Sequence, residues 1–214
     1  MADAKRPSTY QRIIDASLQL FNEHGERTIS TNHIAQHLSM SPGNLYYHFA
    51  NKDEIIMQLF KRYSETMHRY LMQTKLPESV SKTVGYAFGL YDILWHYRFL
   101  FSDVNTLLVR SAALLGEHHD FTRIRIAPLL VKLLQQLADN GVIVIDEIGV
   151  RDLSVNMWLI TKYWFEFDHS LPERATSEQQ AKARGVYRTL SLLRPYIDPT
   201  HLPEFDQMVK GMDT

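Results

Sequence analysis

The sequence predicts an all-α chain, a three-helix N-terminal unit joined to a larger helical bundle. Three observations carry that prediction. Apolar residues recur at spacings of three and four through most of the 214 residues. Ser, Asn and Pro stand where helices would start, ahead of these runs. Only Val142-Ile143-Val144-Ile145 resembles a strand, and it is too short and isolated to pair, so a buried connecting loop is expected there. With 45% hydrophobic and 22% charged residues the chain can bury a sizeable core.

Lys5 and Arg6 open a short basic tail suited to tracking a phosphate backbone. Ser8 with Gln11 makes a capping-box pattern for a first helix. Ile13, Ile14, Ala16, Leu18, Leu20 and Phe21 give that helix its buried face, and Gly25 can end it in a left-handed conformation.

Residues 29–54 hold the densest pattern. Ser30 or Thr31 can cap one short helix, with Ile34, Ala35 and Leu38 facing inward. Ser41 can cap a second, with Pro42 at its first position and Leu45 and Phe49 facing inward. Ser39-Met40 leaves room only for a tight turn, and Met40 is placed to fill the gap below it. Asn51, with Glu54 three residues on, can open a third helix. This is the layout of a helix-turn-helix, whose second helix enters a DNA major groove.

Projected at about 100° per residue, the second helix turns Gly43 and Tyr47 most directly away from its core. Asn44 and Tyr46 lie on the flanks, Pro42 and His48 nearer the edges. The outward face is short, donor-rich and aromatic. Gly43 lets the backbone approach base edges, and Asn44 can pair with one. Tyr46, Tyr47 and His48 can donate to phosphates, and Lys52 at the next helix start adds a charge and free N–H groups.

Ile34-Ala35, then Ser41-x-Gly43-x-Leu45-Tyr46-x-His48-Phe49, then Lys52, behind a helix ending at Phe21 and Gly25, resemble the DNA-binding domain of the TetR/AcrR family of bacterial transcriptional regulators. The resemblance covers roughly residues 8–56. It implies that Thr31, Tyr47, His48 and Lys52 hold phosphates and that Asn32, Pro42, Gly43, Asn44 and Tyr46 lie near bases, with Ser30 and Ser41 beside them. Two residues depart from the family pattern. Ser39 stands where Gly is usual in the turn, and Glu26 follows Gly25 where an aromatic is common.

Residues 52–73 read as one helix without Gly or Pro, with Ile55, Ile56, Leu59, Phe60, Tyr63, Met67 and Leu71 on its packed side. At about 30 Å it can join two domains rigidly, and 76–79 is a linker. The expected domains are therefore 1–54 and 55–214. Further helices are expected over 80–97, 101–115, 121–140, 150–169 and 177–193, with a shorter one near 204–211. Those at 80–97 and 150–169 are apolar on more than one side, so each needs a second apolar neighbour besides its own core. In 150–169, Leu153, Met157, Ile160, Trp164 and Phe167 form a seam.

The aromatic-rich second half suggests an apolar cavity with Tyr and Trp polar handles. Its candidate lining is Phe60, Tyr63, Met67, Tyr86, Phe88, Tyr91, Trp95, Phe101, Leu108, Leu130, Leu134, Trp158, Thr161 and Phe165. The resemblance implies the same, a bundle with a ligand cavity whose last two long helices, here about 150–169 and 177–193, pair in a homodimer.

Other classes find little support. Walker-type phosphate loops, H-E-x-x-H, G-x-S-x-G and G-x-G-x-x-G are all absent. Glu117-His118-His119-Asp120 reads as a polar connector beside Gly116 and not as a metal site, and His169 reads as the end of a helix. No cofactor, metal or enzymatic activity is expected. Nothing spans a membrane, and zero cysteines with no apolar N-terminal run fit a cytoplasmic location. Net charge is −1, split as +2 over residues 1–75 and −3 over the rest, so DNA affinity must come from local donors and not from a broadly basic surface. The expected function is a ligand-responsive repressor, binding a double-stranded inverted-repeat operator as a homodimer and released by a small, mainly apolar, aromatic or acyl effector. The alternative is a helical binding or enzymatic protein whose helix-turn-helix no longer binds DNA.

Overall fold

The computed structural model describes residues 7–102, 104–172 and 177–213, so the tail with Lys5 and Arg6 lies outside the described residues. Helices α1 (Thr9–His24), α2 (Thr31–His37) and α3 (Pro42–His48) form the N-terminal head with the start of α4 (Lys52–Gln73). The expected caps are made. Ser8 Oγ accepts from the Gln11 N–H at 3.3 Å, Ser41 Oγ from Asn44 at 3.2 Å and Asn51 Oδ1 from Glu54 at 3.0 Å. Glu54 reaches back to the Ala50 N–H at 2.8 Å. Ser30, and not Thr31, caps α2, and His33 completes the box by accepting from the Ser30 N–H at 3.3 Å. Each such cap contributes about 1 kcal/mol.

Between α2 and α3, Ser39 takes φ 53°, the one positive φ at a non-glycine among the described residues. This conformation costs about 1 kcal/mol in a residue with a Cβ. Ile13, Ile34, Leu45 and Ile55 close the head's core.

The bundle follows as α5 (Val80–His96), α6 (Phe99–Ser102), α7 (Val104–Arg110), α8 (Ala112–Phe121), α9 (Ala127–Asp139), α10 (Glu147–Ser170), α11 (Glu178–Ser191) and α12 (Leu202–Val209). Helices α5, α10 and α11 pack on one another. Gly185 of α11 lies against the Tyr91 and Trp164 rings, and Gly89 of α5 against Tyr70, so neither position has room for a Cβ. Buried Arg184 pairs with buried Asp168 at 3.0 Å, tying α11 to α10.

Three expectations are corrected. The single helix over 101–115 is broken into α6, α7 and the start of α8. Ser111 is extended (φ −129°, ψ 106°) and caps α8 through Leu114. The connector at Glu117–Asp120 is instead helical. Gly116 is tolerated there because Leu114, His118 and Phe121, four and three apart, are all buried on one face. The helix over 121–140 starts as a π-helical turn, Thr122–Ile126, running into α9. By contrast, 142–145 is a loop, with Val142 and Ile143 buried and a lone antiparallel bridge from Ile143 to Ile197.

In α10 the seam Leu153, Met157 and Trp164 faces the core, while Phe167, also expected in it, is exposed. Ile148, Val155 and Leu159 leave an apolar stripe on the outer side. Among the described residues no helix is long and apolar enough to cross a membrane.

Candidate nucleic-acid interface and effector cavity

The head presents α3 as its spacing predicts. Leu45 and Phe49 are buried, whereas Ser41, Pro42, Gly43, Asn44, Tyr46 and Tyr47 are exposed and His48 is half-buried. Tyr47 is 85% exposed, although its ring carries a large apolar area. Its ring lies edge-on to the neighbouring His48 ring, with centroids 5.2 Å apart, and adds nothing to the core. The Tyr46 hydroxyl meets Thr31 Oγ1 at 2.9 Å, which holds Tyr46 toward α2. Asn32 at the start of α2 is exposed beside this pair. The Tyr10 ring stacks on Phe49 at 4.8 Å and braces the end of α3 from below.

Lys52 differs from its expected role. Its ammonium points inward, to the Glu26 and Ile29 carbonyls at 3.0 Å and to the Glu26 carboxylate at 2.8 Å. The reason is Glu26, whose side chain is only 6% exposed and needs compensating charge. Burial raises the Glu26 pKa, but hydrogen bonds and charge from Arg110 and Lys52 outweigh it and leave the carboxyl below the usual range.

Arg110, from α7 of the bundle, reaches Glu26 at 3.0 Å and Asp53 at 2.8 Å. Nearby, Arg27 donates to Thr106 Oγ1 at 2.7 Å, and Asn22 bonds His96 O and the Phe99 N–H at 2.9 and 3.1 Å. These contacts fasten the head to α5–α7. Nothing in the local pattern marked Arg110 or Thr106. Glu26 was visible only as a departure from the family pattern.

Two small apolar cavities lie inside the bundle. The first, about 20 Å³, is lined by Phe60, Tyr63, Phe101, Leu108 and Trp158 of the expected set, together with His118 and others. The second, about 60 Å³, is lined by Met67, Tyr86, Tyr91, Leu130, Trp158 and Thr161 of that set. Within the second, Tyr91 Oη and Thr189 Oγ1 are 2.8 Å apart and Thr161 Oγ1 is 3.4 Å from Thr189.

Four expected lining residues lie elsewhere. Trp95 and Phe165 face an open cleft of about 570 Å³ between the bundle and the end of α1, where Arg98 lies 4.7 Å over the Trp95 ring. Leu134 is sealed in the core and Phe88 packs half-buried against it, because a helix apolar all round has more faces than one cavity can use.

Tyr63 Oη, Tyr86 Oη, His118 Nδ1 and Thr122 Oγ1 are buried and have no hydrogen-bond partner among the described residues. Each orphan of this kind costs about 1–3 kcal/mol relative to a paired group. Burial, with the charges of Lys162 and His119, pushes the His118 pKa down to about 4. Among the described residues no group of three His, Cys, Asp or Glu could hold a metal ion.

Comparison with known proteins gives two family matches. The family model described as bacterial regulatory proteins, tetR family, matches residues 13–59, and the one described as bacterial transcriptional repressor matches residues 62–205. A crystal structure of a TetR-family transcriptional regulator from Marinobacter aquaeolei VT8 is 33% identical, with TM-score 0.86 over 97% of this chain and 100% of that one. The fatty acid metabolism regulator protein of Bacillus subtilis (strain 168) is 29% identical over 112 residues, 51% of this chain and 54% of its own length. The HTH-type transcriptional regulator UidR of Escherichia coli (strain K12) is 28% identical over 89 residues, 38% of this chain and 45% of its own. The chain thus spans about half the length of the curated relatives it matches.

Proposed function

We propose that this chain, which belongs to the TetR family of bacterial transcriptional regulators, reads an inverted-repeat operator as a homodimer and lets it go when a small, mainly apolar molecule enters the bundle. The observation that carries the DNA-reading half is the outward face of α3, with Leu45 alone turned inward between Pro42 and His48. Asn44, Tyr46 and Gly43 would face bases, with Asn32 and Pro42 beside them. Thr31, Tyr47 and His48 would hold phosphates. Lys52 would act mainly by fixing Glu26, with its backbone N–H, at the start of α4, available to a phosphate.

The exposed stripe Ile148, Val155 and Leu159 supports pairing of two copies through α10, with α11 beside it. Twofold symmetry then requires half-sites about one DNA turn, or a multiple of one, apart.

The cavities support a mechanism for release. At about 20 and 60 Å³ they are nearly closed, whereas bound small molecules usually occupy about 300–1,000 Å³. An effector must therefore push the walls apart, and it favours whichever state already has them apart. One wall is formed by Leu107 and Leu108, on α7, the same short helix that presents Thr106 and Arg110 to the head. Expansion would strain that grip and tilt the head together with α4. The similarity to a fatty acid metabolism regulator protein of Bacillus subtilis fits an acyl-bearing effector for this chain.

A gel shift on the gene's own upstream DNA, at fixed salt, tests the reading. Specific retardation is expected, weakened for all sequences by Tyr47→Ala and altered in sequence preference by Asn44→Ala. Unchanged affinity in both variants would contradict the docking of α3.

A further inference from the structure

Outside the two closed cavities, a third space of about 530 Å³ opens at the surface between α8, the π-helical turn and α10. Its lining includes His118, His119, Thr122, Arg123 and Lys162, and no carboxylate. Lys162 is half-buried and, among the described residues, has no carboxylate within ion-pair reach; its ammonium lies 5.0 Å from the Tyr163 ring centroid. Arg123 has a partner in Asp120 at 3.5 Å, but both side chains are solvent-exposed, so the pair is weak. Two buried polar atoms sit at this opening without partners, His118 Nδ1 and Thr122 Oγ1. His118 is only 8% exposed.

Position links this space to the interior. Trp158 lines all three cavities, and His118 lines both the outer space and the first inner one. The π turn that carries Thr122 and Arg123 is a local widening of the helix, a feature frequent at functional sites. An opening rich in cations and polar donors, sharing Trp158 as a wall with an apolar interior, has the polarity of an amphiphile with a negative head.

We propose that the effector is an amphipathic anion. Its head, a carboxylate or a phosphate-bearing group, sits among His118, Thr122, Arg123 and Lys162, and its apolar tail passes Trp158 into the bundle. This rests on the effector-released reading above and adds the charge and the direction of the ligand to it. The Thr122 hydroxyl donates to the head, as does His118 in the tautomer with its proton on Nδ1, while Lys162 and Arg123 supply charge. A cationic head meets no carboxylate in the lining, where the nearby Asp120 is already taken by Arg123, and a neutral head leaves Lys162 without an ionic partner.

Titration of the full-length protein with decanoate, decanamide, decyltrimethylammonium and decanoyl-coenzyme A, each below its micellar concentration and followed by tryptophan fluorescence and operator release, tests this. Decanoate or the coenzyme A ester is expected to bind at least about tenfold tighter than decanamide, with the ammonium weakest. Which of the two anions wins distinguishes a carboxylate from a phosphate-bearing head. Lys162→Gln and Arg123→Gln should each cost the anion about fivefold or more and leave decanamide within about twofold. Their unliganded operator affinity should match that of the unsubstituted protein, which reports an intact fold. Equal binding of acid and amide, or tighter binding of the ammonium, would overturn the anionic head while leaving an apolar effector standing, and loss on Tyr63→Phe with none on Lys162→Gln would overturn its seat at this opening. Failure of every amphiphile to bind or to release DNA would overturn both.

Discussion

The head and the bundle are both helical, but they hold their polar groups in opposite ways. In the head, Ile13, Ile34, Leu45 and Ile55 are sealed and the polar side chains of α3 stand in water. In the bundle, two cavities persist and hydroxyls of Tyr63, Tyr86 and Thr122 are buried unpaired. A surface that reads DNA has to hold side chains in fixed places, which a close-packed core does. A sensor has to yield, and gaps with unpaired donors mark where it can. The network of Glu26, Lys52, Asp53 and Arg110 is where the rigid part meets the yielding one.

The largest expected difference between the two regions is in stability. Leu45→Ala should cost about 2–5 kcal/mol in urea unfolding, since nothing in the tight head can fill the hole. Trp158→Ala, half-buried beside existing cavities, should cost less and admit bulkier ligands. Equal losses would erase the contrast. Next in size is a pH effect in the bundle. The His118 pKa of about 4 lies below its unfolded value, so the folded state resists the proton. The stability contributed by neutral His118 is complete above about pH 6.5 and is lost as pH falls toward 4, by about 2–3 kcal/mol at most. His118→Phe should flatten that part of the stability–pH curve, and an unchanged slope would place the effect elsewhere.

The junction comes third. Arg110→Gln leaves α3 intact, so operator affinity should hold within about threefold while the effector-induced drop shrinks by about tenfold, a coupling loss near 1.4 kcal/mol. Operator titrations with and without effector measure both. The smallest effect belongs to the turn. Ser39→Gly should stabilise the head by about 0.5–1 kcal/mol in thermal unfolding, because glycine adopts φ 53° without penalty.

These same regions were unequally legible in the sequence. Ser30, Ser41 and Asn51 cap helices through residues three positions away, so the head's elements and its outward side chains follow from local order. The bundle depends on distant contacts. His118 reads as part of a polar string until its ring is found buried beside Phe60, with centroids 6.2 Å apart. Arg110 reads as an interior position of the helix expected over 101–115 until Glu26, far away in sequence, is found facing it. Lys52 reads as a phosphate contact from its position alone, and burial of Glu26 turns it inward. Phe88, Trp95, Leu134 and Phe165 read as cavity lining because periodicity shows that a face is apolar but not which neighbour covers it.

Selection of bound fragments from random duplex DNA at fixed salt, followed by footprinting of the enriched sequence, tests the central claim most directly. Two copies of this chain, each offering the Asn44–Tyr47 face, should enrich an inverted repeat and protect two half-sites centred about 10 base pairs, or a multiple of that, apart. No enrichment, or a motif without twofold symmetry, would contradict it.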